Sequence, residues 1–173
     1  ESENLLASDA ATVEKVNQLS ALKSTTYSID SSSFSDLTSS ASGVSDFVKN
    51  AKTIDLSEKL TVAQFNTLDQ DSTGTIKANI EDTVSALSLS SATKAIQNAS
   101  DQSLSVESTG SNQSTIAEAI ALNTLNLTTI VNKLDVKDSS ANIKSASGEL
   151  LSKVDSIEPT DEQSILGLSV AQA

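Results

Sequence analysis

The sequence predicts an α/β protein made of a repeated α-β-α-β block of about 54 residues, stacked as a solenoid-like or layered parallel-sheet array. Two observations predict it: a pentapeptide that recurs at a fixed spacing, and an alternation of helical and strand periodicity between its copies. Leu60-Thr61-Val62-Ala63-Gln64 returns as Leu168-Ser169-Val170-Ala171-Gln172, 108 positions on, and Ser114-Thr115-Ile116-Ala117-Glu118 stands at the midpoint, 54 from each. One period earlier, Leu6-Ala7-Ser8-Asp9-Ala10 keeps the pattern in degraded form. The chain 1–173 is read as one array, with repeats 6–59, 60–113 and 114–167, and with 168–173 opening a further one. It is expected to be a piece of a longer array, since it begins and ends near the landmark. The alternative is a single doubly wound domain with coincidental internal similarity.

After each landmark a helical stretch leads to a short extended piece. The first set of these is Tyr27-Ser28-Ile29-Asp30, Asn79-Ile80-Glu81-Asp82 and Leu134-Asp135-Val136-Lys137-Asp138, with apolar and polar residues alternating at the strand period. Ser31, Thr83 and Ser139 follow the three aspartates and are predicted helix N-caps, because a hydroxyl there can accept from an otherwise unpaired N–H. The helices that follow carry apolar stripes at spacings of three and four. They are Phe34, Leu37, Ala41, Val44, Phe47 and Val48, then Val84, Leu87, Ala95 and Ile96, then Ile143, Ala146, Leu150 and Val154. A second set of strands follows at Thr53-Ile54-Asp55-Leu56, Ser103-Leu104-Ser105-Val106 and Ser156-Ile157-Glu158, with Pro159 suited to a strand end. Helices between strands imply parallel pairing through right-handed crossovers.

Composition narrows the chemistry. The 173 residues include no Cys, His, Met, Trp or Arg, so every basic residue is Lys. This removes His- and Cys-based nucleophile systems, soft zinc or copper sites and bidentate guanidinium clamps. Hydrophobic residues are 37% and aromatic ones 2%, so the core must be Leu, Ile, Val and Ala with a few Phe. The formal charge of −12 and pI near 4.2 make nucleic acid a poor partner. No run of eighteen apolar residues is present, and no membrane span is predicted. A cysteine-free exported chain fits bacterial secretion better than a disulfide-stapled eukaryotic module.

The landmarks Leu60–Gln64 and Leu168–Gln172, together with Val136-Lys137-Asp138-Ser139-Ser140-Ala141-Asn142-Ile143, resemble the degenerate α/β repeats of very large bacterial exported surface proteins, in adhesin-like, S-layer-like or RTX-type chains. The resemblance implies a secreted or cell-surface location and a structural role. The glycine-rich nonapeptide that binds calcium in RTX rolls is absent, so that ligand mechanism is not implied.

One stretch has metal-ligand character. Asp69-Gln70-Asp71-Ser72-Thr73-Gly74-Thr75-Ile76 looks like the start of an EF-hand loop, with Asp69, Asp71, Thr73 and the Thr75 carbonyl as oxygen ligands and Gly74 at the sharp turn. Ile80 stands where the bidentate Glu is needed, and Glu81 comes one place late. The competing reading is a helix end followed by a polar turn with Gly74 left-handed. No cofactor is required by this sequence, and Ca2+ is the one it could accommodate. Asp155, Glu158, Asp161 and Glu162 form an acidic run that reads as a solvated edge. Asp30, Asp82 and Asp138 could make a carboxylate ladder, for which helix capping is the simpler account.

The function expected is a non-catalytic structural or assembly segment of a secreted repetitive protein: a filament, sheath, S-layer or adhesin stalk. Its partners would be adjacent repeats or identical chains. The alternative is an extracellular module that binds glycan or a host surface, calcium-assisted, through exposed Ser, Thr, Asn and Asp. An enzyme ranks third, because no poised acid pair stands out. A phage fibre is another source that this composition allows.

Overall fold

The computed structural model describes residues 3–7, 27–31, 33–38, 46–110, 113–124 and 134–161. These form a mixed α/β structure of short parallel sheets and short helices, with no closed barrel among the described residues. The strands are β1 (Glu3–Ala7), β2 (Tyr27–Ser31), β3 (Thr53–Leu56), β4 (Thr75–Lys77), β5 (Ile80–Asp82), β6 (Val106–Ser108), β7 (Gln113–Ser114), β8 (Asp135–Asp138) and β9 (Ser156–Pro159). The helices are α1 (Phe34–Leu37), α2 (Asp46–Lys49), α3 (Val62–Asp71), α4 (Val84–Leu87), α5 (Thr93–Asp101), α6 (Ile116–Thr124), α7 (Ser140–Ser145) and α8 (Gly148–Leu151). Three sheets have the orders β1-β2-β3-β4, β5-β6 and β7-β8-β9, and every pairing is parallel. Leu60 bridges Ile80 beside the second sheet.

Register follows the apolar residue of each strand. Ile29 faces Ile54, which faces Ile76, and all three are buried. Ile80 pairs with buried Val106, and Val136 pairs with half-buried Ile157. A shift of one residue would turn this apolar column outward, so the two-residue alternation fixes the register. The helices cover the column with Leu37, Val48, Val62, Phe65, Leu68, Leu87 and Ile96. A second cluster gathers Ile116, Ala119, Val136, Ile143, Ala146, Leu150 and Leu151. Helix α6 joins the two, because its Leu122 belongs to the first cluster while Ile116 and Ala119 belong to the second.

Five of the six predicted strands appear where alternation places them, within a residue or so. The sixth, Ser103–Val106, is displaced to Val106–Ser108. Its first residues are spent ending α5: the N–H of Leu104 reaches back to the Ala99 carbonyl at 2.8 Å, and Ser103 takes the left-handed φ of 58° that this closure requires. Strands β1, β4 and β7 were not expected. Thr75 and Ile76 of β4 fall within the EF-hand-like stretch Asp69–Ile76.

The helices are shorter than their stripes suggest. Val84 to Ile96 is broken at Ser88-Leu89, and Ile143 to Val154 at Ala146-Ser147. At the breaks, hydroxyls compete for backbone groups that a longer helix would use. The Ser88 hydroxyl donates to the Ser85 carbonyl, and that of Ser147 accepts from the Leu150 N–H. Likewise α1 ends where the Thr38 hydroxyl and N–H both donate to the Phe34 carbonyl. Ala41 and Val44 lie outside the described residues. Thr83 and Ser139 are the N-caps expected of them, whereas α1 is capped by Ser33 and not Ser31.

Gly74 is not left-handed; Gly110 is the described glycine with positive φ. Gly74 is needed for another reason. A Cβ there would stand 2.1 Å from the Ala51 carbonyl oxygen, so only glycine lets this turn approach the preceding one.

Candidate functional site

The recurring pentapeptide turns out to be a helix start. Thr61 caps α3, accepting from the Gln64 N–H at 3.2 Å while the Gln64 side chain accepts from the Thr61 N–H at 2.8 Å, a reciprocal capping box. Thr115 and Glu118 make the same pair of bonds at α6, at 3.2 and 2.8 Å. Val62 and Ile116 are therefore equivalent first residues of helices. Position 170, their expected third counterpart, lies outside the described residues, as do Ser8-Asp9-Ala10.

A second device was not legible as such. The N–H of Val62 donates to Asp82 Oδ2 at 2.9 Å, 20 residues on, and that of Ile116 donates to Asp138 Oδ2 at 2.9 Å, 22 residues on. The Ser140 N–H donates to both oxygens of Asp161 at 3.1 and 3.2 Å, 21 residues on. The Phe34 N–H donates to Glu58, 24 residues on. In each case a carboxylate at the end of a later strand, or just past it, closes the first turn of a helix that starts earlier in the chain, where the helix dipole also favours negative charge. Asp82 and Asp138 each hold their own chain as well, through the Thr83 N–H at 2.8 Å and the Ser139 N–H at 2.7 Å. Asp82 and Asp138 thus act in capping, the simpler of the two accounts of these aspartates, and each serves a helix start earlier in the chain. We term this contact a clasp.

Electrostatics agree with that geometry. Burial alone would raise the Asp138 carboxyl, but bonds from the Ile116 N–H, Asn142 and the Ser139 N–H hold it below the usual range. Burial likewise opposes Glu118, which the Ser85 hydroxyl and the Thr115 N–H and hydroxyl bring below its ordinary value. Asp161 is lowered chiefly by the Ser140 hydroxyl.

Lysines add ties between residues distant in the chain. Lys59 reaches both Glu81 at 3.0 Å and Glu107 at 2.5 Å, Lys94 reaches Asp69 at 2.6 Å, and Lys137 reaches Glu158 at 3.0 Å. These pairs are largely solvent-exposed, and each contributes little by itself.

The five residues suggested as calcium ligands are spread over three elements and the turn between them. Asp69 and Asp71 belong to α3, and Asp69 is engaged by Lys94. The Thr73 hydroxyl and N–H both donate to the Lys49 carbonyl at 3.2 Å. Thr75 starts β4, and Glu81 lies in β5 beside Lys59. Among the described residues no three acidic side chains group as a metal-ion set. The acidic run at the C-terminal side is also divided: Glu158 pairs with Lys137, Asp161 clasps α7, and Glu162 lies outside the described residues.

The solvent face of the first sheet carries a shallow polar cleft of about 180 Å³, lined by Ser28, Ile29, Asp30, Thr53, Asp55 and Lys77. Parallel register places Asp30 beside Asp55 and Asp55 beside Lys77, with Ser28 beside Thr53 and Thr53 beside Thr75. Such a face offers hydrogen-bond donors and acceptors of both charges but no aromatic platform.

Family models, curated proteins and solved structures were all compared with this chain, and none matches. Among the described residues no helix is long and apolar enough to cross a membrane.

Proposed function

We propose that the chain is a non-catalytic structural segment of a secreted or cell-surface repetitive protein, in which strand–helix units stack side by side as a solenoid-like array. The observation that carries this reading is the clasp: four helix starts are each completed by a carboxylate from the unit that follows. A unit of this kind is finished only by its successor, which favours addition of like units in one direction. The clasped helix starts Phe34 and Val62 lie 28 residues apart and Ile116 and Ser140 lie 24 apart, about half of the 54-residue block, and on this reading each block holds two such units. Exposed lysine–carboxylate ties and the net negative charge keep the outer surface soluble and discourage lateral clumping. The partners proposed are adjacent repeats or identical chains.

The test is small-angle scattering and electron microscopy of the fragment and of tandem copies, with and without calcium. Elongated particles whose length grows with copy number support the array, and compact monomers under every condition would overturn it. A second reading is favoured by the polar cleft: a glycan-binding module using Ser28, Asp30, Thr53, Asp55 and Lys77. Glycan-array binding that is lost in Asp30→Ala and Asp55→Ala would select it.

A further inference from the structure

Residues 113–161 gather three carboxylates at two helix starts that depend on them. Glu118 closes the α6 capping box and also accepts from the Ser85 hydroxyl at 2.5 Å, tying α6 to α4. Asp138 accepts from the Ile116 N–H, the Ser139 N–H and the Asn142 amide, the last at 2.7 Å. Asp161 takes the N–H and the hydroxyl of Ser140, a residue only 2% exposed. The start of α3 is built differently, because its box is closed by the amide of Gln64, which does not titrate, leaving Asp82 as the carboxylate on that turn. Helix α6 therefore starts on two ionisable groups where α3 starts on one.

We propose that 113–124 together with 134–161 is an acid-released block: protonation of Glu118, Asp138 and Asp161 frees the first turns of α6 and α7 and loosens the block from α4, while the elements of 53–110 stay folded. A carboxylic acid cannot accept from two or three N–H donors as a carboxylate does, and the freed donors then favour water over a helix. The groups facing these carboxylates set the threshold. Asp138 and Glu118 repel one another, which favours proton uptake by Glu118, and Lys144 favours the ionised form of Asp161. Lys137 is occupied by Glu158 on the neighbouring strand, and Lys153 by Glu149 and Asn123. Folded-state ionisation of all three carboxylates is favoured relative to the free chain. Their contribution is accordingly present at neutral pH and is lost as pH falls below the ordinary carboxylate range of roughly 4.

The proposal is independent of the array reading, since it concerns one chain in isolation. The experiment is residue-resolved amide exchange on the whole chain between pH 7 and pH 2.5. Protection of amides in 116–124 and 140–145 should fall at least tenfold at a pH where amides in 62–71 and 93–101 keep theirs. Glu118→Gln installs the arrangement that Gln64 already provides at α3. It removes one titrating group, so protection of 116–124 should be lower than in the parent chain at pH 7 and should fall less between pH 7 and pH 2.5. Loss of protection in both regions at the same pH, or an unchanged profile in Glu118→Gln, would overturn the proposal.

Discussion

Replacing Asp82 by Ala should cost about 2 to 3 kcal/mol, more than any exposed carboxylate can. The magnitude follows from what Asp82 holds: the Val62 N–H at 2.9 Å and its own Thr83 N–H at 2.8 Å. Val62 is 5% exposed, so its N–H has little access to water once the carboxylate is gone. Leaving a buried donor unpaired costs about 1 to 3 kcal/mol, and loss of a cap about 1. Asp82→Asn keeps one accepting oxygen for two donors and should lose roughly half as much. The assay is urea denaturation followed by circular dichroism, with Asp55→Ala as control because Asp55 is exposed on the sheet face. An Asp82→Ala midpoint no lower than that of Asp55→Ala would show that the clasp is decorative and would remove the main support for units completed by their successors.

Three further substitutions test separate parts of the fold. Ser114 is 3% exposed with its hydroxyl unpartnered, at the position where the other copy of the landmark has fully buried Leu60; Ser114→Ala should raise stability by about 1 kcal/mol in the same denaturation assay. Gly74→Ala places a Cβ against the Ala51 carbonyl and should cost about 3 kcal/mol, visible as a lower midpoint and as amide shifts on both β3 and β4. Ser103→Gly relieves a left-handed φ of 58° and should add about 1 kcal/mol to the thermal or urea stability.

Much of the architecture is readable along the chain. Alternation in Tyr27–Asp30, Thr53–Leu56 and Leu134–Asp138 needs only local periodicity, and those strands form there. The landmark pentapeptide also announces its chemistry, because Thr61 with Gln64, and Thr115 with Glu118, spell a capping box at the required three-residue spacing. Helix length was over-read. An apolar stripe records which face is inward, and it persists through the Ser88-Leu89 and Ala146-Ser147 breaks because the pieces on both sides contribute to the same apolar cluster.

The calcium-type loop shows the limit of motif reading. Asp69, Asp71, Thr73 and Thr75 have ligand spacing, but β3 recruits Thr75–Lys77 as a strand and Lys94 engages Asp69 from the neighbouring helix. Both competitors come from outside the motif and are invisible within it. Gly74 likewise suggests a turn, while its necessity comes from the Ala51 carbonyl of the preceding turn.

The sequence by itself determined which residues face inward, where the helices after Thr83 and Ser139 begin, that the strands pair in parallel, and that no His, Cys or Arg chemistry is available. These follow from periodicity, capping geometry and composition, all of which act over a few residues. Only the tertiary structure decided which helix each carboxylate serves. Asp82 reads as the neighbour of Thr83, yet it also completes the helix that starts at Val62, because parallel stacking brings the end of one strand over the start of the preceding helix.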